Sequence, residues 1–473
     1  MIIGGHISLQ DELLSDAMEH AFKLGASYVD VRIQDMESER ITVENGTLRE
    51  YQTDRLKGVG VRVIVNKSLG LASSTIIDKQ SLVSTVDFAV SMAKASNNLA
   101  KPTVLSSVEP KIASSKIFCD VHPSDVSPEE KIRLTTRANK AAFAVEGVTN
   151  SRTILSWFHD VRDFTSAEGA EVNLETNMVG YAQLSVALHE GKLEQVSDSR
   201  SKCSGFEFMD EQEFQNFAKE TSELANKAVK SRTPKTGKYE VVADPRIIGV
   251  ILHEAFGHAS EGDLVRTNES ILTGMLGKDI ANDQVTIIDD GLVKDGFFVP
   301  YDDEGVKKAK QVVVEEGILV GYLHSRGSAE ELHSSPTGNG RAQGFSYPQL
   351  VRQTNLFMEK GNCSLEELIE DIDNGLYILG RGAGGGEVDV GQGAFTFKVG
   401  PSFIIKKGEL DEMVRGVSIS GMILDTLRGV TGVGKETEIR TSVFGGCGKS
   451  GQTVRVGLGG PHVKIREMLV GGS

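Results

Sequence analysis

The sequence predicts an α+β protein built from two unlike parts, and three features carry this prediction. Glycine is unevenly distributed, with 12 of the 52 glycines in residues 1–235 and 40 in residues 236–473. The stretch Lys230–Lys238 is polar and contains both proline and glycine, which interrupt regular structure. The first part mixes helix and strand patterns, whereas the second consists mainly of short apolar segments between turn residues. We therefore predict an N-terminal α+β domain, residues 1–235, and a mostly antiparallel β domain, residues 236–473.

Charge and composition exclude several classes of partner. The chain has 51 Lys and Arg against 66 Asp and Glu, a net charge of −15, and no long basic run, so we expect no nucleic-acid partner. No apolar run approaches the roughly 20 residues of a membrane-spanning helix, and the N-terminus lacks a signal-peptide pattern, so we expect no membrane partner and a cytoplasmic location. The four cysteines are far apart, which favours free thiols in a reducing compartment; they are Cys119, Cys203, Cys363 and Cys447.

The first N-terminal unit, residues 1–115, has the order helix, strands, helix. Ser8 is a candidate N-cap for a helix whose apolar residues recur at helical spacing as far as Leu24. A second helix pattern covers about residues 78–96. Between the helices, alternating apolar residues predict three strands, at Tyr28–Ile33, Arg40–Val43 before an Asn45-Gly46 turn, and Gly60–Val65.

The second unit, residues 116–235, repeats that order. Its first helix begins at Ser127-Pro-Glu-Glu130, which combines a cap, a proline at the first helical position and a capping-box glutamate, and it ends near Gly147. The last helix covers about residues 210–230. The predicted strands are Thr153–Val161, Ala170–Leu174 and Tyr181–Leu188. The shared order predicts either a duplicated unit or two ordinary α+β layers.

The C-terminal part begins with a strand, Tyr239–Ala243, and a helix that starts at Asp244-Pro245. Short apolar segments and two turn dipeptides, Glu316-Gly317 and Lys407-Gly408, then predict antiparallel meanders. The clearest of these segments are Gln284–Asp289, Lys310–Glu315, Gly317–Leu323 and Phe403–Lys407.

The helix after Pro245 carries a candidate metal motif. His253-Glu254-Ala-Phe-Gly-His258 is HExxxH, one residue longer than the HExxH of zinc peptidases. In a regular α-helix, residues i and i+5 point about 140° apart and cannot bind one ion. The segment must therefore contain a π-type turn near Gly257, a residue that tolerates distortion, or the helix must end there. The alternative is two histidines packed in a partly buried helix without a metal.

Two histidines leave room for a third ligand and a water molecule, as in catalytic zinc sites. Cys447 in its glycine-rich segment is one candidate ligand, although a lone cysteine is often a small buried side chain. Glu261 and Asp263 are rival ligands, or carboxylates that orient an imidazole N–H. Glu254 directly follows a candidate ligand and is the candidate general base. It would accept the proton of the attacking water and deliver it to the leaving amine.

These motifs resemble the TldD/PmbA family of zinc metallopeptidases, in the branch that keeps the zinc motif. The resemblance covers nearly the whole chain and includes Glu44–Gly46, Gly58–Arg62, Tyr301–Gly305, Tyr322–Arg326, Thr337–Arg341, Arg352–Asn355, Gly384–Asp389 and Cys447–Gln452. It implies one zinc ion per active chain, held by His253, His258 and Cys447. It further implies extended or unfolded peptides as substrates, and either a homodimer or a heterodimer with a paralogous chain. No motif departs from the active branch.

The run Gly384, Gly385 and Gly386 has no side chains to obstruct a peptide backbone. We predict that an extended substrate pairs there by strand addition, or that the run forms a tight structural turn. Three functions stay open at this point. The first is a zinc peptidase, the second a non-catalytic scaffold or regulatory partner stabilised by zinc, and the third a zinc hydrolase of non-peptide amides.

Overall fold

The computed structural model describes residues 9–97 and 101–472, so the predicted cap Ser8 lies outside the described residues. Within the described ranges, no helix is long and apolar enough to cross a membrane. The N-terminal part contains two runs of helix, three strands and helix, in the predicted order. The first run is α1 Leu9–Lys23, β1 Tyr28–Glu44, β2 Thr47–Val65, β3 Ser68–Ser74 and α2 Lys79–Ser96. After β4 Ile112–Lys116, the second run is α3 Pro128–Phe143, β5 Val148–Ser166, β6 Glu171–His189, β7 Lys192–Lys202 and α4 Glu211–Val229.

Both runs join in one sheet of order β3-β2-β1-β5-β6-β4, with β7 also paired to β6. The antiparallel pair β1 and β5 connects the two units at its centre. The strands are longer than predicted, because β1 and β6 each unite two predicted segments. Polar residues inside β1 do not end it, since they find partners: Glu39 accepts hydrogen bonds from Lys131 and Trp157. Satisfied buried polar groups of this kind are compatible with continuous backbone pairing.

The C-terminal part begins with the predicted strand and helix and continues with short strands. Its elements up to residue 369 are β8 Gly237–Ala243, α5 Pro245–Ile251, a π-helix Leu252–Gly257, α6 Gly262–Arg266, β9 Ile287–Asp289, β10 Gln311–Glu315, β11 Ile318–Leu319, α7 Arg326–Glu331, β12 Gly340–Arg341, β13 Leu350–Val351, β14 Asn355–Met358 and α8 Leu365–Ile369. The remaining elements are β15 Asn374–Ile378, β16 Gly385–Asp389, β17 Ala394–Lys398, β18 Ser402–Lys406, β19 Glu409–Val414, β20 Val417–Met422, α9 Ile423–Arg428, β21 Val430–Val433, β22 Glu438–Thr441, β23 Cys447–Lys449, β24 Gln452–Val454, β25 Gly457–Gly460 and β26 Val463–Gly472.

These strands form two larger sheets that are mostly antiparallel, as predicted. One has the order β16-β17-β20-β26-β8-β15-β18-β19, with β21 paired to β26, and the other the order β11-β10-β9-β14-β25-β22. The predicted turns Glu316-Gly317 and Lys407-Gly408 both have positive φ at their two residues, which is typical of tight hairpins. Of the predicted segment Gly317–Leu323, only Ile318 and Leu319 form a strand, and Leu323 makes an isolated bridge with Glu261.

Helix α5 and the π-helix lie in the main C-terminal core. Their residues Ile247, Ile251, Leu252 and Phe256 are fully buried, within a cluster that extends into both sheets. A helix that is apolar on nearly all sides is held by packing rather than by solvent-exposed contacts. The packing fixes the position of the HExxxH segment that continues from it.

Asp244 caps the start of α5 from a buried position. Its Oδ1 accepts hydrogen bonds from the backbone N–H groups of Ile247 and Gly380, at 2.8 and 3.0 Å. Burial outweighs these bonds and raises the pKa of Asp244 to about 6. The cap is therefore maintained although its negative charge is disfavoured.

We expect Asp244→Ala to destabilise the protein by about 0.5–2 kcal/mol through loss of the cap, and Asp244→Asn to keep it, because one amide oxygen can accept both bonds. An unfolded aspartate has a pKa of about 3.9, so the wild type loses stability relative to Asp244→Asn as the pH rises from there through about 6. Melting temperatures at pH 4.5 and 7.5 check both effects. If the melting temperature of Asp244→Asn exceeded that of the wild type by the same amount at both pH values, the proposed cost of the buried Asp244 charge would be wrong.

Candidate metal centre

The HExxxH segment is a π-helix, one of the two outcomes predicted for it. The backbone N–H of His258 donates to the carbonyl of His253 at 3.3 Å, the i to i+5 bond that defines this geometry. The wider turn brings the two imidazoles to one side of the helix, with ring centroids 5.3 Å apart. His253 is buried, and the side chain of His258 is 12% exposed.

A side chain from another segment stabilises this turn. The amide of Gln353, which is fully buried, donates from Nε2 to the same His253 carbonyl at 3.0 Å. A Cβ atom on Gly257 would come within 2.1 Å of the Gln353 Oε1 atom. Gly257 is therefore required for the close approach of this amide and not for a positive φ. The π-turn and the Gln353 contact depend on each other.

Cys447 reaches the two histidines from the hairpin of β23 and β24, which turns at Ser450 and Gly451 with positive φ. Its Sγ lies 3.2 Å from Nε2 of His258. One ligand atom from each of His253, His258 and Cys447 lies within 4.8 Å of the other two, and no other such group of three occurs in the described part of the chain. Arg352, adjacent to Gln353 and also fully buried, donates to the Cys447 carbonyl.

The donor set fits a zinc ion. Tetrahedral zinc with Zn–N of about 2.0 Å and Zn–S of about 2.3 Å separates a nitrogen from a sulfur ligand by about 3.5 Å, close to the distance between His258 and Cys447. The His253 Nδ1 atom is buried without a hydrogen-bond partner. Burial favours the neutral thiol of Cys447, but the imidazoles of His253 and His258 outweigh it and lower its pKa to about 5. A thiolate is the form that binds metals.

The two predicted carboxylates occupy different places. Glu261, which is fully buried, lies 3.1 Å from Nδ1 of His258, in the position of a group that orients an imidazole N–H. Asp263 contacts no imidazole and instead accepts hydrogen bonds from Nζ of Lys449 at 2.7 and 2.8 Å. The same Nζ lies 2.7 Å from Glu261. Neither carboxylate belongs to the three-residue group around Cys447.

These groups also control charge within the site. Burial raises the pKa of Glu261, but His258 and Lys449 outweigh it and lower that pKa below its ordinary value. Burial disfavours the charged imidazole of His258, but Glu261 and Cys447 raise its pKa to about 10. Burial also raises the pKa of Asp263, and Glu261 adds to this effect. Lys449 is therefore a cation that compensates the buried carboxylate of Glu261 and the half-buried carboxylate of Asp263.

Glu254 lies at the border between the three-residue group and an open cavity. Its side chain is 46% exposed, and its Oε2 lies 4.0 Å from Nε2 of His258. Glu254, His253 and Cys447 all line a cavity of about 590 Å³. The N-terminal sheet contributes residues of β5, β6 and β7 to the same walls, among them Ile154 and Leu184. The cavity thus provides space for a substrate beside the candidate general base.

The predicted glycine run leads into β16, at the edge of the nine-stranded sheet. This strand pairs with β17 on one side, and its other side has no strand partner among the described residues. Gly385 lines the cavity and has φ +83°, while a Cβ on Gly386 would lie 2.1 Å from the carbonyl oxygen of Thr396. The backbone conformation therefore favours glycine at position 385, and the close approach of Thr396 requires it at position 386. The unpaired edge of β16 lies beside them.

Sequence reasoning did not assign roles to Arg352, Gln353 and Lys449. The segments Arg352–Asn355 and Cys447–Gln452 belong to the sequence motifs, but the contacts of Arg352, Gln353 and Lys449 join residues 95 to 188 positions apart along the chain. The available signal was a run of four polar residues directly before the apolar Leu356–Met358, where a strand is expected. Such a run indicates buried polar side chains with fixed partners.

Comparisons with known proteins match nearly the whole chain. Residues 236–472 match the model of the PmbA/TldA metallopeptidase C-terminal domain, and residues 29–93 match PmbA/TldA metallopeptidase domain 1. A protein of Methanothermobacter thermautotrophicus named "Metalloprotease" is 37% identical over 447 residues, which cover 94% of this chain and 96% of that protein. A "Zinc metalloprotease TldD homolog" of Saccharolobus solfataricus is 29% identical over 461 residues, which cover 96% and 99%. The crystal structure of TldE from Thermococcus kodakarensis shares the fold, with a TM-score of 0.80, 20% identity and coverage of 97% and 100%.

We expect Lys449→Met to lower zinc affinity about 10- to 100-fold, because it leaves Glu261 and Asp263 uncompensated and weakens the support of His258. Competition with a chromophoric chelator measures this affinity without an activity assay. The matched control is the double variant Lys449→Met/Asp263→Asn, which removes one of the two carboxylates and should recover part of the loss. Wild-type affinity in Lys449→Met would show that the lysine has no part in holding the site.

Proposed function

The chain belongs to the PmbA/TldD family of metallopeptidases, and from this premise we propose that it is a zinc-dependent peptidase acting on extended or unfolded peptides. The observation that carries the proposal is the approach of His253, His258 and Cys447 within 4.8 Å, with Glu254 exposed beside them. A scaffold that used zinc only for structure would have no need of a partly exposed carboxylate facing a cavity.

In this proposal His253, His258 and Cys447 hold one zinc ion per active chain. When bound there, zinc supplies Lewis-acid activation of water and of the substrate carbonyl. Zinc binding would displace the proton that Glu261 and Cys447 stabilise on His258. Two neutral imidazoles and one thiolate would then leave the site with a net charge of +1, which suits a developing oxyanion. Glu261 accepts the Nδ1–H of His258 and so fixes which ring nitrogen of that imidazole is free to bind.

Glu254 acts as the general base. Its exposed carboxylate accepts a proton from the attacking water at an Oε atom and then delivers that proton to the leaving amine nitrogen. The cavity walls include the apolar residues Ile247, Val250 and Phe397, so a bound peptide would displace water from the space beside Glu254. With that water displaced, the charge on Glu254 would interact more strongly with the reaction centre than it does in water.

We propose the edge of β16 as the place where the substrate backbone binds. A peptide added as a further strand would satisfy its backbone hydrogen bonds there, independent of its side chains. Gly384, Gly385 and Gly386 present no side chain that would obstruct its approach, and Gly385 lines the same cavity as His253 and Glu254. This mode of binding favours unfolded or extended segments, because most backbone groups of a folded domain are already hydrogen-bonded.

We further propose that the protein works as a dimer, either with a second copy or with a paralogous chain. The support is a second edge, in the N-terminal sheet, that has no strand partner among the described residues. Strand β3 pairs only with residues 59–65 of β2, and residues 47–57 are exposed. Long exposed edges of this kind are usually covered by another chain or protected by charge.

We expect Glu254→Gln to keep zinc and fold but to lose peptide cleavage by about 10²- to 10⁴-fold, the usual effect of removing a general base. The assay incubates wild type and variant with a denatured polypeptide, with and without a chelator, and maps the products by mass spectrometry. Small amide substrates in parallel test the non-peptide alternative. Wild-type cleavage by Glu254→Gln would remove Glu254 from its role, and chelator-insensitive cleavage would remove the metal.

Alanine variants of His253, His258 and Cys447 are the matched set for the ligand assignment. Each should lower the bound zinc measured by elemental analysis, because each removes a donor atom of the same group. Cys447→Ala removes the only anionic donor. Equal zinc content in wild type and Cys447→Ala would return the cysteine to a structural role and make Glu261 the next candidate.

We expect light scattering at micromolar concentration to give twice the mass of one chain, either alone or after mixing with a paralogous chain. Introducing a proline in the exposed part of β2, for example Thr53→Pro, should weaken the dimer if that edge is the interface, because proline removes a backbone donor and disturbs the strand. A monomer that cleaves peptides would contradict the proposed assembly.

A further inference from the structure

The cavity beside the candidate metal centre is positively charged in a chain whose net charge is −15. Apart from the candidate metal ligands, four cationic side chains line the cavity against two carboxylates. The cationic residues are Arg152, Arg246, Lys398 and Arg440, and the carboxylates are Asp198 and Glu254. A local charge opposite to that of the whole molecule is a feature of sites that attract charged ligands.

The arginines of this wall are fixed in place. Asp198, whose side chain is 5% exposed, lies 2.8 Å from Arg246 and 3.5 Å from Arg440. Arg381 approaches the same carboxylate at 3.0 Å, so three guanidinium groups share one buried aspartate. Glu438, half exposed, lies 2.8 Å from Arg440. These ion pairs connect β7 to the C-terminal part and hold a positive field in a defined position.

Lys398 differs from the arginines because its ammonium group has no carboxylate partner among the described residues. It is exposed at the end of β17, opposite Gly385 in the register of β16. Its aliphatic stem lies close to Gly384, where a Cβ would be 3.1 Å from the Lys398 Cδ atom. No ion pair or side-chain hydrogen bond of Lys398 occurs among residues 9–97 and 101–472. Its ammonium group is therefore available to a ligand in the cavity.

We propose that this cavity binds a carboxylate group of the peptide substrate, with Lys398 as the contacting residue and Arg246 and Arg440 as the supporting positive field. This inference rests on the proposed peptidase function and adds a substrate class to it. A chain with this arrangement prefers acidic peptides although its overall charge repels them. The carboxylate could be an acidic side chain or the C-terminal group, and the two sources share the same chemistry.

The helix gives the approximate place of the carboxylate along the substrate. Arg246 precedes His253 by seven residues on the face of the helix that lines the cavity, a separation of about 10 Å at 1.5 Å per residue. An extended peptide advances about 3.3 Å per residue. A carboxylate beside Arg246 would therefore lie about three residues from the bond that is cut.

The test uses labelled decapeptides in matched pairs. In one set the two members differ only by Glu or Gln, at each of four positions on either side of the cleaved bond. In a second pair they differ only by a free or an amidated C-terminus. We expect wild type to show a KM about fivefold or more lower for the carboxylate member of one pair, with little change in kcat. The Glu pairs identify a side-chain source, and the acid and amide pair identifies a C-terminal source. A wild type that treats every pair equally would overturn the proposal.

Variants locate the effect. Lys398→Met should abolish the preference, and Lys398→Glu should reverse it in favour of a peptide with Lys at the same position. The matched control is Lys406→Met, which removes an exposed strand lysine of the same sheet outside the cavity and should keep the preference. An unchanged preference in both Lys398 variants would overturn the role of this residue.

Binding to the full-length Glu254→Gln variant, followed by fluorescence anisotropy, separates this inference from the proposed activity. We expect the carboxylate peptide to bind more tightly than its Gln or amide counterpart and the difference to disappear on adding Lys398→Met. Tight, carboxylate-dependent binding without any cleavage by the wild type would defeat the peptidase proposal and leave the binding site standing. Equal binding of both peptides would defeat the binding site alone.

Discussion

The arrangement around His253 and His258 depends on one constraint, the i to i+5 spacing of two side chains that must face the same way. A regular helix cannot satisfy it, and the chain uses a π-turn in which the His253 carbonyl receives both the His258 N–H and the Gln353 amide. Gly257 makes room for that amide. Arg352, the residue before Gln353, donates a hydrogen bond to the Cys447 carbonyl. These two consecutive side chains therefore hold the histidine segment and the cysteine segment of the three-residue group. Distortions of this kind often occur at functional sites.

Electrostatics supports the same arrangement. Strand geometry places Cys447 and Lys449 on one face of β23, so a single short strand presents a thiol to His258 and an ammonium group to Glu261. The carboxylate of Glu261 would be costly to bury without a partner. The ammonium group of Lys449 compensates the negative charges of both Glu261 and Asp263. The orientation of His258 therefore depends on a residue that touches neither imidazole.

Much of the fold could be predicted from local signals. The two helix, strands, helix units, the helix start at Asp244-Pro245 and the turns at Glu316-Gly317 and Lys407-Gly408 follow from spacing, helix-start and turn chemistry within a few residues. Strand lengths could not be predicted, because polar residues such as Glu39 interrupt the apolar pattern of β1, and the partners that allow the strand to continue lie far away in sequence. Gln353 and Lys449 belong to the same class, since each acts on a segment far away in sequence. The assignment of the division near residue 235 stays a prediction.

The order of the segments along the chain determines when the three-residue group can form. Strand β8 leads into the helix of His253, and it pairs with β26, while Cys447 arrives 189 residues after His258. The donor set is therefore scattered through a growing polypeptide and comes together only when the whole C-terminal part has closed. Domains generally fold in order during synthesis, the N-terminal ones first. A nascent chain would carry both histidines long before Cys447 could reach them, so the three-residue group can form only after the C-terminal part has been synthesised and folded.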